Sequence, residues 1–332
     1  MTKFQRITTL SLSLLLLVGA FFVSPARAIE SATNAADVGQ ALEIRPPVLN
    51  LTADPGQNLE AKISILDVSP SPLIVSGEVN DFIAAGEDGT PKLLLEEGET
   101  SPYSLKKWID PLPRLTLKPK QAENFPVSIR IPADAAPGGY FAVVRFTASA
   151  PDIDQTGVSL SASLGTLILV RVNGDAKEGL SIEEFYTSVA GSKSSLFEGI
   201  PIDFTVRVKN TGSVHEQPAG QAIITDMFGN PVGAVNINLD TRNVLPGSIR
   251  KFEAPLDSAV IGNRILFGRY TANLTMTYGA DKKTVTESLT FWVIPWKLIL
   301  AVIIGIVGGF FLLRYALRRY NNYILSQARR RR

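Results

Sequence analysis

The chain has 332 residues, with 33 Lys and Arg against 31 Asp and Glu, a single His and no Cys. The absence of cysteine excludes a disulfide framework, a thiol nucleophile and a lipid-modified Cys, and one histidine gives little from which to build a zinc site or a Ser-His-Asp triad. The formal net charge of +2 averages unlike regions: with the cations of the two ends set aside, residues 29–291 hold 22 basic and 31 acidic residues, a net −9. Such an acidic segment is a poor ligand for nucleic acid, or for anionic wall polymers unless cations bridge them.

In chain order, Lys3 and Arg6 precede a Leu-rich run from Leu10 to Val23, then Pro25 and the small-residue site Ala26-Arg27-Ala28. This is the layout of a secretory signal peptide over 1–28, cleaved before Ile29. Residues 29–40 are small and polar and read as a disordered leader. From Ala41, short β-type runs recur between Pro, Gly, Asn and Asp punctuation, near 41–52, 58–67, 72–82, 114–118, 124–131, 139–149 and 158–173. Pro46-Pro47 splits the first, as in an edge strand. Leu59, Ala61, Ile63 and Ile65 alternate with Glu60, Lys62, Ser64 and Leu66, so one face is buried. No amphipathic helix intervenes, which points to an antiparallel β-sandwich over 41–175 and away from a parallel α/β fold.

A second unit runs over 180–291. Ile202, Phe204, Val206 and Val208 alternate with Asp203, Thr205, Arg207 and Lys209, ahead of the turn Asn210-Thr211-Gly212. Tyr270, Ala272, Leu274, Met276 and Tyr278 alternate in the same way. Both patterns are half-buried strands. Phe228-Gly229-Asn230-Pro231 reads as a hairpin turn between Ile223-Ile224 and Val232–Val235. Tyr140 and Tyr270 open late strands after Pro-containing turns, as a tyrosine corner does, or as core aromatics do. The fold class expected is therefore all-β: two immunoglobulin-like antiparallel sandwiches followed by one transmembrane helix.

That helix is expected over 292–313, where Trp292 and Trp296 suit the headgroup level and Leu298 to Leu313 carries no charge. About 20 apolar residues at ~1.5 Å each cross a hydrocarbon layer of ~30 Å. The tail 314–332 carries Arg314, Arg318, Arg319 and Arg329–Arg332 and no acid. The positive-inside bias places it in the cytoplasm and the sandwiches outside, a single-pass type I arrangement. Gly305 and Gly309 stand four apart, a small-xxx-small spacing through which two helices could dimerise.

Leu117-Lys118-Pro119, Ile131-Pro132, Pro137-Gly138-Gly139-Tyr140 and the plan of two sandwiches, one helix and a basic tail resemble the WxL-interacting surface proteins of Gram-positive bacteria. The resemblance implies a cell-surface protein that binds partner proteins, wall polymers or host matrix. It is specific only around 114–146 and transfers no binding residues.

Sites of chemistry are sparse. His215, just past a turn, reads as a surface-loop residue with no oriented nucleophile nearby. Glu87-Asp88-Gly89, Glu96-Glu97-Gly98-Glu99 and Asp152-Ile153-Asp154 are loop acids without the spacing of a calcium loop, leaving at most a weak calcium site. No enzyme activity, cofactor or metal is expected. The irregular stretch 83–113 carries Tyr103 and Trp108, which either form a partner-binding surface or fold back to plug the sandwich. Two functional readings stand: surface display of binding domains, and a membrane-tethered, chaperone-like accessory of export or assembly that pairs an edge strand with clients. An open first or last strand in the N-terminal sandwich favours the second; an exposed aromatic patch on 83–113 favours the first.

Overall fold

The computed structural model describes residues 42–96, 98–149, 163–262 and 264–330, with side chains as far as Asn321. The expected signal peptide, the leader and the acids Asp152 and Asp154 lie outside the described residues. Two β-sandwiches follow one another, and a long helix leaves the second.

The first sandwich contains β1 (Leu42–Arg45), β2 (Val48–Ala53), β3 (Asn58–Asp67), β4 (Leu73–Ala85), β5 (Thr90–Leu94), β6 (Arg114–Leu117), β7 (Ala122–Arg130), β8 (Gly138–Ser149) and β9 (Ser163–Val172). One sheet has the order β1-β3-β7; the other has the order β2-β9-β8-β4-β5, with β6 beside β4. Pro46-Pro47 breaks the first strand so that it changes sheets: β1 pairs antiparallel with β3, and β2 pairs parallel with β9. The alternation read in β3 holds, since Ala61, Ile63 and Ile65 are buried. They meet Val144, Phe146, Ile168 and Val170 of the facing sheet, and Phe125 closes edge-on against Phe146 at 4.9 Å.

The second sandwich contains β10 (Leu180–Val189), β11 (Ser192–Lys193), β12 (Leu196–Phe197), β13 (Ile202–Asn210), β14 (Ala219–Thr225), β15 (Pro231–Ile237), β16 (Ile249–Leu256), β17 (Gly268–Tyr278) and β18 (Lys283–Val293), with a single helical turn, α1 (Ser258–Ile261), between β16 and β17. Its sheets have the orders β11-β10-β13-β16 and β12-β18-β17-β14-β15. Phe204 and Phe291 meet edge to face across them at 5.7 Å, and Tyr270 stacks on Phe291 at 5.6 Å.

Both candidate corner tyrosines bond back to the chain a few residues upstream. The Tyr140 hydroxyl donates to the Ala136 carbonyl at 3.0 Å, and the Tyr270 hydroxyl accepts from the Phe267 N–H at 3.0 Å. The last helix, α2 (Trp296–Arg330), begins later than the apolar run suggests. Trp292 and Val293 instead close β18, paired with Arg269 and Gly268 of β17. A strand and a buried helix turn are both served by the same apolar composition, so periodicity could not separate them there. Within α2, Trp296–Asn321 is long and apolar enough to cross a membrane.

Candidate binding cleft between the sandwiches

The stretch 83–113 is more regular than its composition suggests. β4 runs on to Ala85 and turns into β5. The chain then returns alongside β8, past its last pair with β4 at Asn80 and Val143, where Phe141 donates to the Tyr103 carbonyl at 2.7 Å and its own carbonyl accepts from Leu105 N–H at 2.9 Å. Asp81, buried in β4, anchors this return: its carboxylate accepts from Ser101 N–H at 3.3 Å and the Ser104 hydroxyl at 2.7 Å. Leu105 and Ile109 enter the core, and a 3-10 turn at Lys106–Trp108 lays Trp108 against Tyr140, ring centroids 4.2 Å apart. Tyr103 meets the Phe141 ring at 5.8 Å. Both aromatics are half-buried.

The outward face of the larger sheet is apolar as well. Phe82, Phe141, Val143 and Leu169 form a cluster on it, and Leu245 of the second sandwich packs against them. Beside it the two sandwiches join through the backbone, with Gly139 N–H donating to the Ser213 carbonyl at 2.9 Å. A Cβ at Gly139 would press on the Phe141 ring and stand 3.2 Å from the His215 nitrogen, so this close approach requires glycine. The loop that reaches Gly139 is itself fixed by buried Asn210, whose amide donates to the carbonyls of Val214 at 2.7 Å and Val244 at 2.8 Å.

Charge frames the joint on two sides. At the tip of the β4–β5 hairpin, Glu87 receives Arg207 Nε at 2.8 Å, and the Glu87 carbonyl accepts from Lys251 N–H at 2.7 Å. The Arg207 hydrogen bond holds the Glu87 carboxyl below its ordinary range, and Glu87 raises Arg207 in return. On the other side, Glu178 accepts from Arg171 at 2.5 Å and from Ala280 N–H at 3.1 Å. Burial opposes its ionisation, but these bonds leave its carboxyl below the ordinary value. Glu216 accepts from Gly279 N–H at 2.9 Å, and burial together with the Glu178 charge pushes it up to about 7. His215 is not the surface-loop residue expected: it is half-buried, edge-on to Phe141 at 5.5 Å, with Nδ1 buried and without a hydrogen-bond partner among the described residues. Burial and the nearby Arg171 lower it to about 4. Its position depends on the second sandwich meeting the first, which no local sequence window encodes.

Between the sandwiches lies a cavity of about 350 Å³. Phe82, Leu167 and Leu169 form its apolar floor, and Asn243 and Arg250 rise from the second sandwich. Arg250 donates to the Asn243 carbonyl at 2.6 Å and the Asp88 carbonyl at 3.3 Å. Burial, with Arg242 nearby, lowers its pKa. The opposite rim is Pro47 and, in β2, Val48 and Asn50, and Asn50 accepts from Asn243 at 3.1 Å.

β2 is an edge strand. Leu167 N–H donates to Pro47 O and Asn173 N–H to Ala53 O, each at 2.9 Å, which sets the phase of the ladder. Odd-numbered residues of β2 face β9, so Val48, Asn50 and Thr52 turn their N–H and C=O groups outward. Among the described residues no strand pairs with that outer edge. β9 is covered by β2 only over Leu167–Val172, leaving Ser163–Thr166 past the end of β2. The sequence pattern marked β2 as an edge through Pro46-Pro47 but gave no sign of the cleft beside it.

The structure does not bring the remaining sequence candidates to this cleft. Gly305 and Gly309 lie one turn apart on α2, with open space around each. Among the described residues no group of three or more His, Asp and Glu converges as a metal site would require. Asp88 is engaged with the N–H and hydroxyl of Thr90, at 3.0 and 2.6 Å.

No family model matches the chain, and no curated protein matches it. Among solved structures the chain is similar to the YadV chaperone, at 11% identity over 76% of this chain and 100% of that one, with a TM-score of 0.35. It is also similar to the class 5 fimbriae chaperone CfaA, at 13% identity over 76% and 99% and a TM-score of 0.37. The E. coli chaperone DraB is similar at 15% identity over 76% and 96%, with a TM-score of 0.33.

Proposed function

We propose that this chain is a membrane-tethered, chaperone-like accessory of protein export or surface assembly. Its first sandwich takes an extended segment of a client protein onto the outer edge of β2. One observation carries the reading: an edge strand whose outward N–H and C=O groups are unpaired among the described residues borders an apolar cleft. Adding a strand there satisfies those groups and extends the sheet. Alternate client side chains then fall on the same face as Val48 and Asn50, above Leu167 and Leu169.

The joint between the sandwiches supports the same reading, because the cleft keeps its shape only while the domains stay docked. In this reading α2 anchors the protein in the membrane, the acidic sandwiches lie outside and the basic tail lies in the cytoplasm. A protein partner on the envelope is also what the resemblance to WxL-interacting proteins implies. Display of an aromatic binding patch on 83–113 is the weaker reading, since Tyr103 and Trp108 rest on Phe141 and Tyr140.

The test is co-purification of envelope proteins with the full chain extracted from membranes. Thr52→Pro removes an outward N–H without breaking the bonds to β9, so it should leave thermal unfolding near wild type and abolish the co-purified partner. Partners retained by both Thr52→Pro and Val48→Asp would contradict the proposal.

A further inference from the structure

The end of the second sandwich from which α2 departs carries most of the exposed large hydrophobic side chains of the two sandwiches. Phe228 is 81% exposed, Ile265 69%, Phe267 59% and Leu196 59%, with Trp292 and Trp296 beside them. Strand register places them together. Trp292 pairs with both Leu196 of β12 and Arg269 of β17, and Val293 pairs with Gly268. Thr225, the last residue of β14, pairs with Thr271 of β17, so the β14–β15 turn ends at the same pole. Met227 of that turn touches the site where Gly268 would carry a Cβ.

These side chains are held out rather than loosely exposed. The Asp226 carboxylate accepts from Phe228 N–H at 2.9 Å and Asn230 N–H at 2.8 Å, which fixes the turn that presents Phe228. The Tyr270 hydroxyl, sited in the core, ties the backbone of Phe267 at 3.0 Å. Elsewhere on the sandwiches the exposed large hydrophobics, such as Ile83 and Leu239, are scattered singly. A cluster at one end marks an interaction surface.

The position of α2 names its occupant. Two residues, Ile294 and Pro295, separate β18 from the helix, a reach of at most ~10 Å including the step into Trp296. β18, β17 and β14 are adjacent, so the Phe228 turn lies about 10 Å to the side of Trp292 at ~4.8 Å per strand. A headgroup layer of roughly 5–8 Å on each side of the hydrocarbon therefore meets this pole if α2 crosses the bilayer. We infer that the membrane-proximal pole of the second sandwich is seated in the lipid interface, with Phe228, Ile265 and Phe267 inserted at headgroup level beside Trp292 and Trp296. The exposed cations Arg264 and Arg269 stand in the same rim. Seating this pole fixes the height and tilt of the client cleft, which lies at the opposite end of the same sandwich.

The inference rests on reading α2 as the membrane anchor, and the test separates the two. The chain lacks cysteine, so single positions can carry an environment-sensitive fluorophore. Full chains with Phe228→Cys, Phe267→Cys, Leu239→Cys or Val307→Cys would be labelled and reconstituted into vesicles of phosphatidylcholine and phosphatidylglycerol doped with lipids bearing a doxyl quencher, near the headgroup to read 228, 267 and 239 and deep in the acyl chain to read 307. The probes at 228 and 267 should be quenched several-fold more than the probe at 239, on the opposite pole. Equal quenching at 228, 267 and 239, with the probe at 307 quenched, would overturn the interfacial seat and leave the anchor standing. An unquenched probe at 307 would overturn the anchor, and the seat with it.

Discussion

Glu87, at the tip of a hairpin from the first sandwich, receives the Arg207 guanidinium of the second, Nε to carboxylate oxygen at 2.8 Å. The Glu87 carbonyl holds Lys251 N–H at 2.7 Å. The β4–β5 hairpin thereby acts as a brace between domains and as part of the cleft rim. Glu87→Ala should speed hydrogen exchange at residues 86–89 and at Lys251, with little change in the core of either sandwich. Because the pair is partly exposed, salt should produce part of the same effect in the wild type. Unchanged exchange at Lys251 would show that the hairpin does not brace the joint.

Leu105 is fully buried although it lies in the most irregular stretch of the chain. Leu105→Ala should cost about 2–5 kcal/mol, read from the urea midpoint of the full chain in detergent. Asp81→Ala leaves Ser101 N–H and the Ser104 hydroxyl without their acceptor and should cost about 1–3 kcal/mol. Trp108→Ala, which removes the ring resting on Tyr140, separates packing from binding. Reduced stability with unchanged client capture would remove Trp108 from any partner surface.

The strands were legible where apolar and polar residues alternate strictly, as in β3, β13 and β17, because a strand with one wet face leaves a period of two in the sequence. β5 was not legible, since Leu93-Leu94-Leu95 has no alternation and Pro91 precedes it. The plugging role of Leu105 was invisible because it depends on Asp81, which is distant in sequence. The cleft was least legible of all. It exists where Leu245 of one sandwich covers Phe82 and Phe141 of the other, and neither stretch alone implies the meeting.

Two groups at the joint titrate abnormally, in opposite senses. Glu216 is raised to about 7, so the folded chain holds its proton more tightly than the unfolded chain does. The stability it contributes is complete below about 4.5 and is lost as pH rises towards 7. His215 is lowered to about 4 from 6.5, so its contribution is present above 6.5 and lost as pH falls towards 4. Relative to wild type, Glu216→Gln should therefore gain stability as pH rises from 5 to 8. His215→Gln should gain as pH falls from 6.5 towards 4. Thermal unfolding across this range checks both, and differences that do not vary with pH would contradict them.

The outer edge of β2 carries the functional reading, and site-specific photocrosslinking in the native envelope reads it most directly. A benzoylphenylalanine at Val48 should form adducts with a small set of envelope proteins, mapped by mass spectrometry to an extended segment of alternating apolar residues. The same group at Lys62, on an exposed face of β3 away from the cleft, should not. Adding Thr52→Pro should eliminate the Val48 adducts; adducts that persist with the proline, or form equally at Lys62, would contradict strand addition at β2.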